Sequence, residues 1–278
     1  MTAPVDPART GFVSFTTDFG AAYTSICVGV VYRIAPRATV LVLSDEVPKY
    51  GILAGAMLLR QALPYFPVGI HVGIVDPGVG TPRRPVALVT GRGDVLVGPD
   101  NGLLPAATER LGGLRGVYLL ENLDYRLPEV SATFHGRDVF APAAGHLAGG
   151  VPVTALGPPV DPASLREHDV PAPQVGDGTL TLSVLYVDEF GSVILAGEDR
   201  HLRKAFGPIG YGTGLVLTWD GGLNRVPLTY QETFGSVAVG EPLLFQDSSG
   251  WLGVAVNQGS AADRFGIGAA AMVTLTRG

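Results

Sequence analysis

The chain of 278 residues holds one cysteine, Cys27, so it has no internal disulfide and no CxxC pair for a metal. Cys27 lies within an apolar run and reads as a core residue. Charge is scarce as well. Charged residues make up 16% and the net charge is -6, which leaves no basic surface for nucleic acid. No uninterrupted apolar run approaches the ~18 residues of a membrane span. The opening MTAPVDPART lacks the apolar stretch of a signal peptide. These absences point to a soluble, cytoplasmic protein. The histidines (His71, His135, His146, His168 and His201) show neither HxH nor HxxxH spacing. On one continuous helix His135 and His146 would stand ~16 Å apart, too far to share an ion. Neither a metal nor another cofactor is expected, and no internal repeat is visible.

Hydrophobic residues, at 46%, support a sizeable core. In the first half, GFVSFTT, ATVLVLS, IHVGIVD, PVALVTG and DVLVG have the length and composition of strands, with helical runs over 21–34 and 53–63 between them. That alternation predicts an α/β domain over residues 1–160 with a mostly parallel sheet and helices on both faces. Residues 161–178 are polar and proline-rich and read as a linker. From 179 to 278 the chain consists of short apolar runs between turn residues, which predicts an all-β, barrel-like domain.

In open α/β sheets ligands gather beyond the carboxyl ends of the strands. Asp18 follows the first strand and Asp76 follows IHVGIVD. VDPGVGTPRRP then brings Arg83 and Arg84, GPDNG carries Asp100 and Asn101, and TFHGRDVF carries Phe134, His135, Arg137 and Asp138 ahead of a helix-like run. Each has a plainer reading. Asp18 suits a helix cap, Asp76-Pro77-Gly78 and Asp100-Asn101-Gly102 suit turns, and Asp138 suits a helix N-terminus. Arg92-Gly93-Asp94 matches an adhesion tripeptide by chance. Taken together, acid, base and aromatic groups converge on the tips of one sheet.

The motifs TTDFG, VDPGVGT with Arg83, GPDNGLL, TFHGRDVFAPAAGHLA, VDEFGSV and SSGWLGVAVNQGSAA occur in that order. With them the chain closely resembles the adenosine-forming S-adenosyl-L-methionine hydrolases, relatives of fluorinase and chlorinase, from about Phe12 to the C-terminus. The resemblance implies a homotrimer, with substrate between the N-terminal domain of one subunit and the C-terminal domain of its neighbour. It implies a catalytic trio of Asp76, Arg83 and His135, Asp18 on the ribose hydroxyls, and Phe134 and Tyr50 as aromatic neighbours of the ligand. It further implies contacts from Asp188, Ser192, Ser248 and Val256. Ser192 stands where relatives carry asparagine, and Gly253 where many carry an acid; Asp45 and Gly51 also depart from the pattern.

The implied reaction is attack of water on C5′ of S-adenosyl-L-methionine, releasing adenosine and L-methionine. The thioether leaves neutral, so the demand falls on holding and deprotonating a weak nucleophile. His135 as general base, or an Asp76–Arg83 pair that orients the water, both satisfy it, and Asp76 close to His135 would favour its protonated form. Two alternatives stand: a halide-using enzyme of the same fold, against which Asp76 and His135 argue, and a non-catalytic protein that binds adenosine or S-adenosylmethionine.

Overall fold

The computed structural model describes residues 11–278, so the expectation drawn from MTAPVDPART lies outside the described residues. The chain divides into two compact units, residues 1–168 and 169–278. The division falls inside the proline-rich segment.

The first unit runs β1 (Phe12–Thr17), α1 (Gly20–Ile34), β2 (Thr39–Ser44), α2 (Ile52–Ala62), β3 (Ile70–Ile74), β4 (Pro85–Thr90), β5 (Val95–Pro99), α3 (Pro105–Arg110), β6 (Leu114–Leu119), α4 (Ala141–Ala148) and β7 (Pro159–Val160). Its sheet has the order β2-β1-β3-β5-β4-β6-β7. The pairs β1–β2, β1–β3 and β3–β5 are parallel. β4 and β7 run against the others, so five of the seven strands share one direction. Val13, Phe15, Val72 and Ile74 face the helices α1 and α4, packing on Cys27, Val31, Val139 and Ala144. A membrane-length apolar helix is absent among the described residues.

Burial explains these elements. β3 and β5 are buried at every position. They lie in the middle of the sheet and accordingly show no polar–apolar alternation, with His71 the one polar residue in them. Gly73 lets α2 and α3 close on β3: a Cβ there would lie 3.0–3.2 Å from Leu59, Leu103 and Leu104.

The second unit runs β8 (Gln174–Gly176), β9 (Thr179–Val187), β10 (Val193–Glu198), α5 (Asp199–Phe206), β11 (Gly214–Trp219), β12 (Asn224–Tyr230), β13 (Pro242–Gln246), β14 (Trp251–Val256), α6 (Ala261–Phe265) and β15 (Met272–Arg277). The order β10-β14-β13-β12-β11-β15-β9, closed by β9 pairing β10, makes a seven-stranded barrel. The nine residues of β9 permit closure: its first part pairs β8 and β15, and its last part pairs β10. Leu180, Leu182, Leu195, Leu217, Leu252 and Leu275 fill the interior.

Candidate active site

The Asp76 carboxylate follows the carboxyl end of β3, where the chain makes a turn with Val79 N–H donating to Asp76 C=O at 3.2 Å. Asn101 fixes that strand tip by donating from Nδ2 to the Val75 carbonyl at 2.8 Å. Gly80 then brings the 76–83 loop against the segment carrying Phe134 and His135. Its φ is +77° and a Cβ there would lie 2.5 Å from the Ala132 carbonyl oxygen, so a side chain is excluded on both counts.

Arg83 joins the three residues. Its Nε donates to both Asp76 oxygens at 3.0 Å, and Nη2 donates to Asp76 Oδ2 at 2.5 Å. Nη2 also donates to His135 Nδ1 at 2.8 Å. The Arg83 and Asp76 side chains are 5% and 6% exposed. The guanidinium lies 5.2 Å from the ring centroid of Phe140, which is fully buried. Arg83 is thus held by a carboxylate, an imidazole and an aromatic face, and its Nη1 makes no hydrogen bond within the described residues.

A guanidinium has only donors, so His135 Nδ1 is an acceptor and the proton of the neutral ring sits on Nε2. Burial and then the Arg83 charge hold the His135 pKa below the ordinary histidine value, against a smaller opposing pull from Asp76. Asp76 does pull towards protonated His135, as expected, but burial and the Arg83 charge outweigh it. With Nδ1 accepting from Arg83, the remaining ring nitrogen of neutral His135, Nε2, carries the proton and is a hydrogen-bond donor.

His135 and Phe134 immediately precede a single π-helical turn, Gly136–Phe140, that leads into α4. Pro142 has no N–H for the preceding turn, and the Asp138 carbonyl accepts instead from Leu127 N–H at 3.0 Å. Asp138 is fully buried, accepts from Arg137 Nε at 2.6 Å and from Ser131 N–H at 2.8 Å, and so secures this turn. The Phe134 ring is half-buried, edge-on to Tyr23 and Phe19 with centroids 5.5 and 5.9 Å away.

Asp18 makes no cap for α1, whose N-cap residue Phe19 has no side-chain cap bond. Its Oδ2 accepts from Tyr50 N–H at 2.9 Å, and its carbonyl accepts from Lys49 Nζ. Tyr50, at φ +62°, is 74% exposed, so its ring is available to a ligand. In the second unit, Asp188 Oδ1 accepts from the N–H groups of Phe190 and Ser192 at 2.9 and 2.8 Å, which makes the 188–192 segment a tight loop. Ser192 is buried and Ser248 is exposed in the turn after β13. The Val256 side chain belongs to the barrel interior. A Cβ at Gly253 would lie 2.6 Å from the Phe245 ring, which occupies the space an acid would need.

The sequence reading missed Phe140 beneath Arg83, and Tyr23 beside Phe134. The i, i+4 spacing of Phe19 and Tyr23 on α1 was the available signal. It also missed a second polar chain at the opposite end of β3. His71 Nδ1 lies 2.8 Å from Ser14 Oγ, and Nε2 lies 3.1 Å from Asp94 Oδ1. Ser14, His71 and Asp94 are at most 1% exposed, so no substrate reaches them and the chain is structural. Burial pushes the Asp94 carboxyl up, but hydrogen bonds from His71 and Arg92 outweigh it and hold the group well below the usual carboxylate range. The Arg-Gly-Asp tripeptide is thus a turn whose arginine grips its own buried acid, with Nη2 at 2.8 Å from Oδ1.

The chain is thus a two-unit protein, an α/β unit carrying the Asp76–Arg83–His135 cluster followed by a β-barrel unit. The chain belongs to the SAM hydroxide adenosyltransferase family, whose N-terminal domain matches residues 13–157 and whose C-terminal domain matches residues 182–274. It is 44% identical to the (R)-S-adenosyl-L-methionine hydrolase of Salinispora tropica, over 94% of this chain and 95% of the relative. It is 40% identical to the hydrolase of that name from Thermus thermophilus, over 92% of this chain and 95% of the relative. A fluorinase from an Actinoplanes species is more distant, at 27% identity over 95% of this chain and 97% of the relative. Among solved structures, an uncharacterized conserved protein from Thermotoga maritima superposes with a TM-score of 0.85 at 29% identity, covering 95% of this chain and all of that one.

Proposed function

We infer that this protein hydrolyses S-adenosyl-L-methionine to adenosine and L-methionine, with Asp76, Arg83 and His135 handling the water. The observation that carries the reading is the position of Arg83, clamped by Asp76 and His135 with Nη1 left to face a ligand. A water oxygen accepting from Nη1 is polarised by a charge that does not titrate in the working pH range. The Nε2–H of His135 is a second donor to that oxygen. Asp76 is the remaining anionic acceptor of the trio. Each of its oxygens has lone-pair capacity beyond the Arg83 bonds, so it can orient a water proton and receive it.

The water oxygen forms a bond to C5′ as the C5′–S bond breaks. The electron pair goes to sulfur, which leaves as the neutral thioether of methionine. The sulfonium charge is lost and one proton is released, so the balance is a cation and water giving two products and H⁺. Placing the nucleophile in line is worth on the order of 7–11 kcal/mol in favourable systems. Asp18 suits the ribose hydroxyls as an acceptor, and Phe134 with Tyr50 offers apolar faces to the nucleoside.

The family resemblance supports a homotrimer in which Asp188, Ser192, Ser248 and Val256 of a neighbouring copy complete the site. Exposed Leu41 and Val42 on the edge strand β2 and exposed Ile26 and Tyr32 on α1 offer apolar surface for self-association. The lone, buried Cys27 suits the reducing conditions of the cytoplasm.

The test is incubation of the purified protein with S-adenosyl-L-methionine, with and without chloride, and chromatography of the products. Adenosine with methionine supports the reading. 5′-Chloro-5′-deoxyadenosine replaces it with halide transfer, and intact substrate with measurable binding replaces it with a binding protein.

A further inference from the structure

The Asp76–Arg83 pair has a second side. Asp76 and Arg83 line a cavity of about 340 Å³ whose other walls are Ile52, Pro77, Gly78, Thr81, Pro82, Asn101 and Arg166. Asp18, Tyr50, Phe134 and His135 are not among its lining residues. The ion pair thus lines this cavity, while Nη2 of Arg83 also reaches His135. That space is large enough for several waters, each taking ~30 Å³ in the liquid. Pro77, Thr81, Pro82 and Arg166 on its walls are exposed, so it reaches the surface.

The outer wall is built deliberately. Arg84 donates to Asp100 Oδ2 at 2.8 Å through Nε and to Ser164 Oγ at 3.0 Å through Nη1. Arg166 N–H donates to the other Asp100 oxygen at 2.9 Å. The segment after β7 is thereby strapped to the tip of β5, and Arg166 is set on the cavity wall by its main chain. The Arg166 guanidinium makes no hydrogen bond or ion pair within the described residues.

We propose that this cavity is the water inlet and proton outlet of the reaction. The proposal rests on the hydrolase reading. An in-line displacement puts the nucleophile on the face of C5′ opposite sulfur, while substrate and its aromatic neighbours cover the other face. Each turnover consumes one water and releases one proton, so a path that bound substrate does not block is needed. The proton received by Asp76 passes from its carboxylate to cavity water and on to bulk. A fresh water moves inward past the same pair. The cavity serves hydrolysis specifically, because it delivers a solvent molecule rather than storing an ion.

Two plugs from different walls test this. Ile52→Trp fills the cavity from the start of α2. Arg166→Trp fills it from the strap, where only the main chain is engaged, so folding is undisturbed. Turnover, substrate Kd by calorimetry and the solvent deuterium isotope effect on kcat are measured with the full-length protein. Both plugs are expected to lower kcat roughly tenfold or more with Kd unchanged, and to enlarge the isotope effect as proton exit becomes limiting. Unchanged kcat in Arg166→Trp overturns the proposal. A parallel loss of substrate binding overturns it too, and makes the cavity a substrate subsite. Failure of the wild-type protein to release adenosine overturns the hydrolase reading itself, a result separate from either.

Discussion

Arg83 donates from Nη2 to His135 Nδ1 at 2.8 Å while the same nitrogen donates to Asp76 at 2.5 Å. One guanidinium thus fixes the tautomer of the imidazole and neutralises the carboxylate, so the three side chains work as one unit.

The acid limb of the activity follows from that contact. Protonating His135 at Nδ1 breaks the bond from Arg83 and places two cations side by side. The folded pKa is lowered from the ordinary 6.5 by burial and by Arg83. kcat/KM is therefore expected to hold to a pH below 6.5 and then fall. Between those two values the unfolded state binds more protons, so the His135 contribution to stability also declines as pH falls. A pH–rate profile checks it: His135→Asn should flatten this limb and, by removing one preorganised donor, lower turnover by roughly 10²-fold. A limb centred above 6.5 counts against the assigned tautomer.

Asp76→Asn should abolish most turnover and also destabilise the first unit. It leaves the Arg83 charge nearly buried and without its anion, a change that costs about 3–5 kcal/mol when the partner of a buried pair is removed. Thermal melting and product chromatography read the two effects separately. A variant with wild-type melting and wild-type turnover would remove Asp76 from the site.

Phe134→Ala should raise KM more than it lowers kcat. The ring contributes apolar area and an aromatic face, with aromatic pairs worth about 0.5–1.5 kcal/mol beyond burial. Steady-state kinetics test this; an unchanged KM would show that the ring serves only Tyr23 and Phe19.

Asp94→Asn should unfold the first unit at milder denaturant without altering the active-site pH profile. The Asp94 carboxylate has a depressed folded pKa, so its contribution is present above the unfolded value of 3.8 and is lost as pH falls below it. Urea titrations at neutral pH and near pH 3 check the sign. The gap between wild type and variant should narrow at the lower pH.

Gly253→Asp, which restores the acid many relatives carry, should destabilise the barrel by about 1–3 kcal/mol because the new Cβ would overlap the Phe245 ring. Melting of the single variant and of its combination with Phe245→Ala checks this. The smaller partner should recover part of the loss.

Much of the fold was legible because burial leaves a linear trace. IHVGI and VLVGP are buried at every position and appear as apolar runs interrupted only by His71, while the barrel shows as short runs between turns. The strand tips were legible too, since a strand ending in aspartate followed by proline or glycine marks its own end. Phe140 was not: nothing in FHGRDVF tells a core phenylalanine from one that stacks on a guanidinium 57 positions earlier. The buried Ser14–His71–Asp94 chain was equally hidden, because its members come from β1, β3 and the turn entering β5 and meet only when those strands lie side by side.

The sequence by itself determined the two-part architecture, the polar strand tips and the family, since these depend on local periodicity and on ordered motifs. Tertiary structure decided the chemistry of the trio. The proton position on His135 is set by which atom Arg83 reaches, and that depends on Gly80 letting two distant loops touch. Protonation in a buried cluster is a property of through-space distance and lost hydration, and neither is written along the chain.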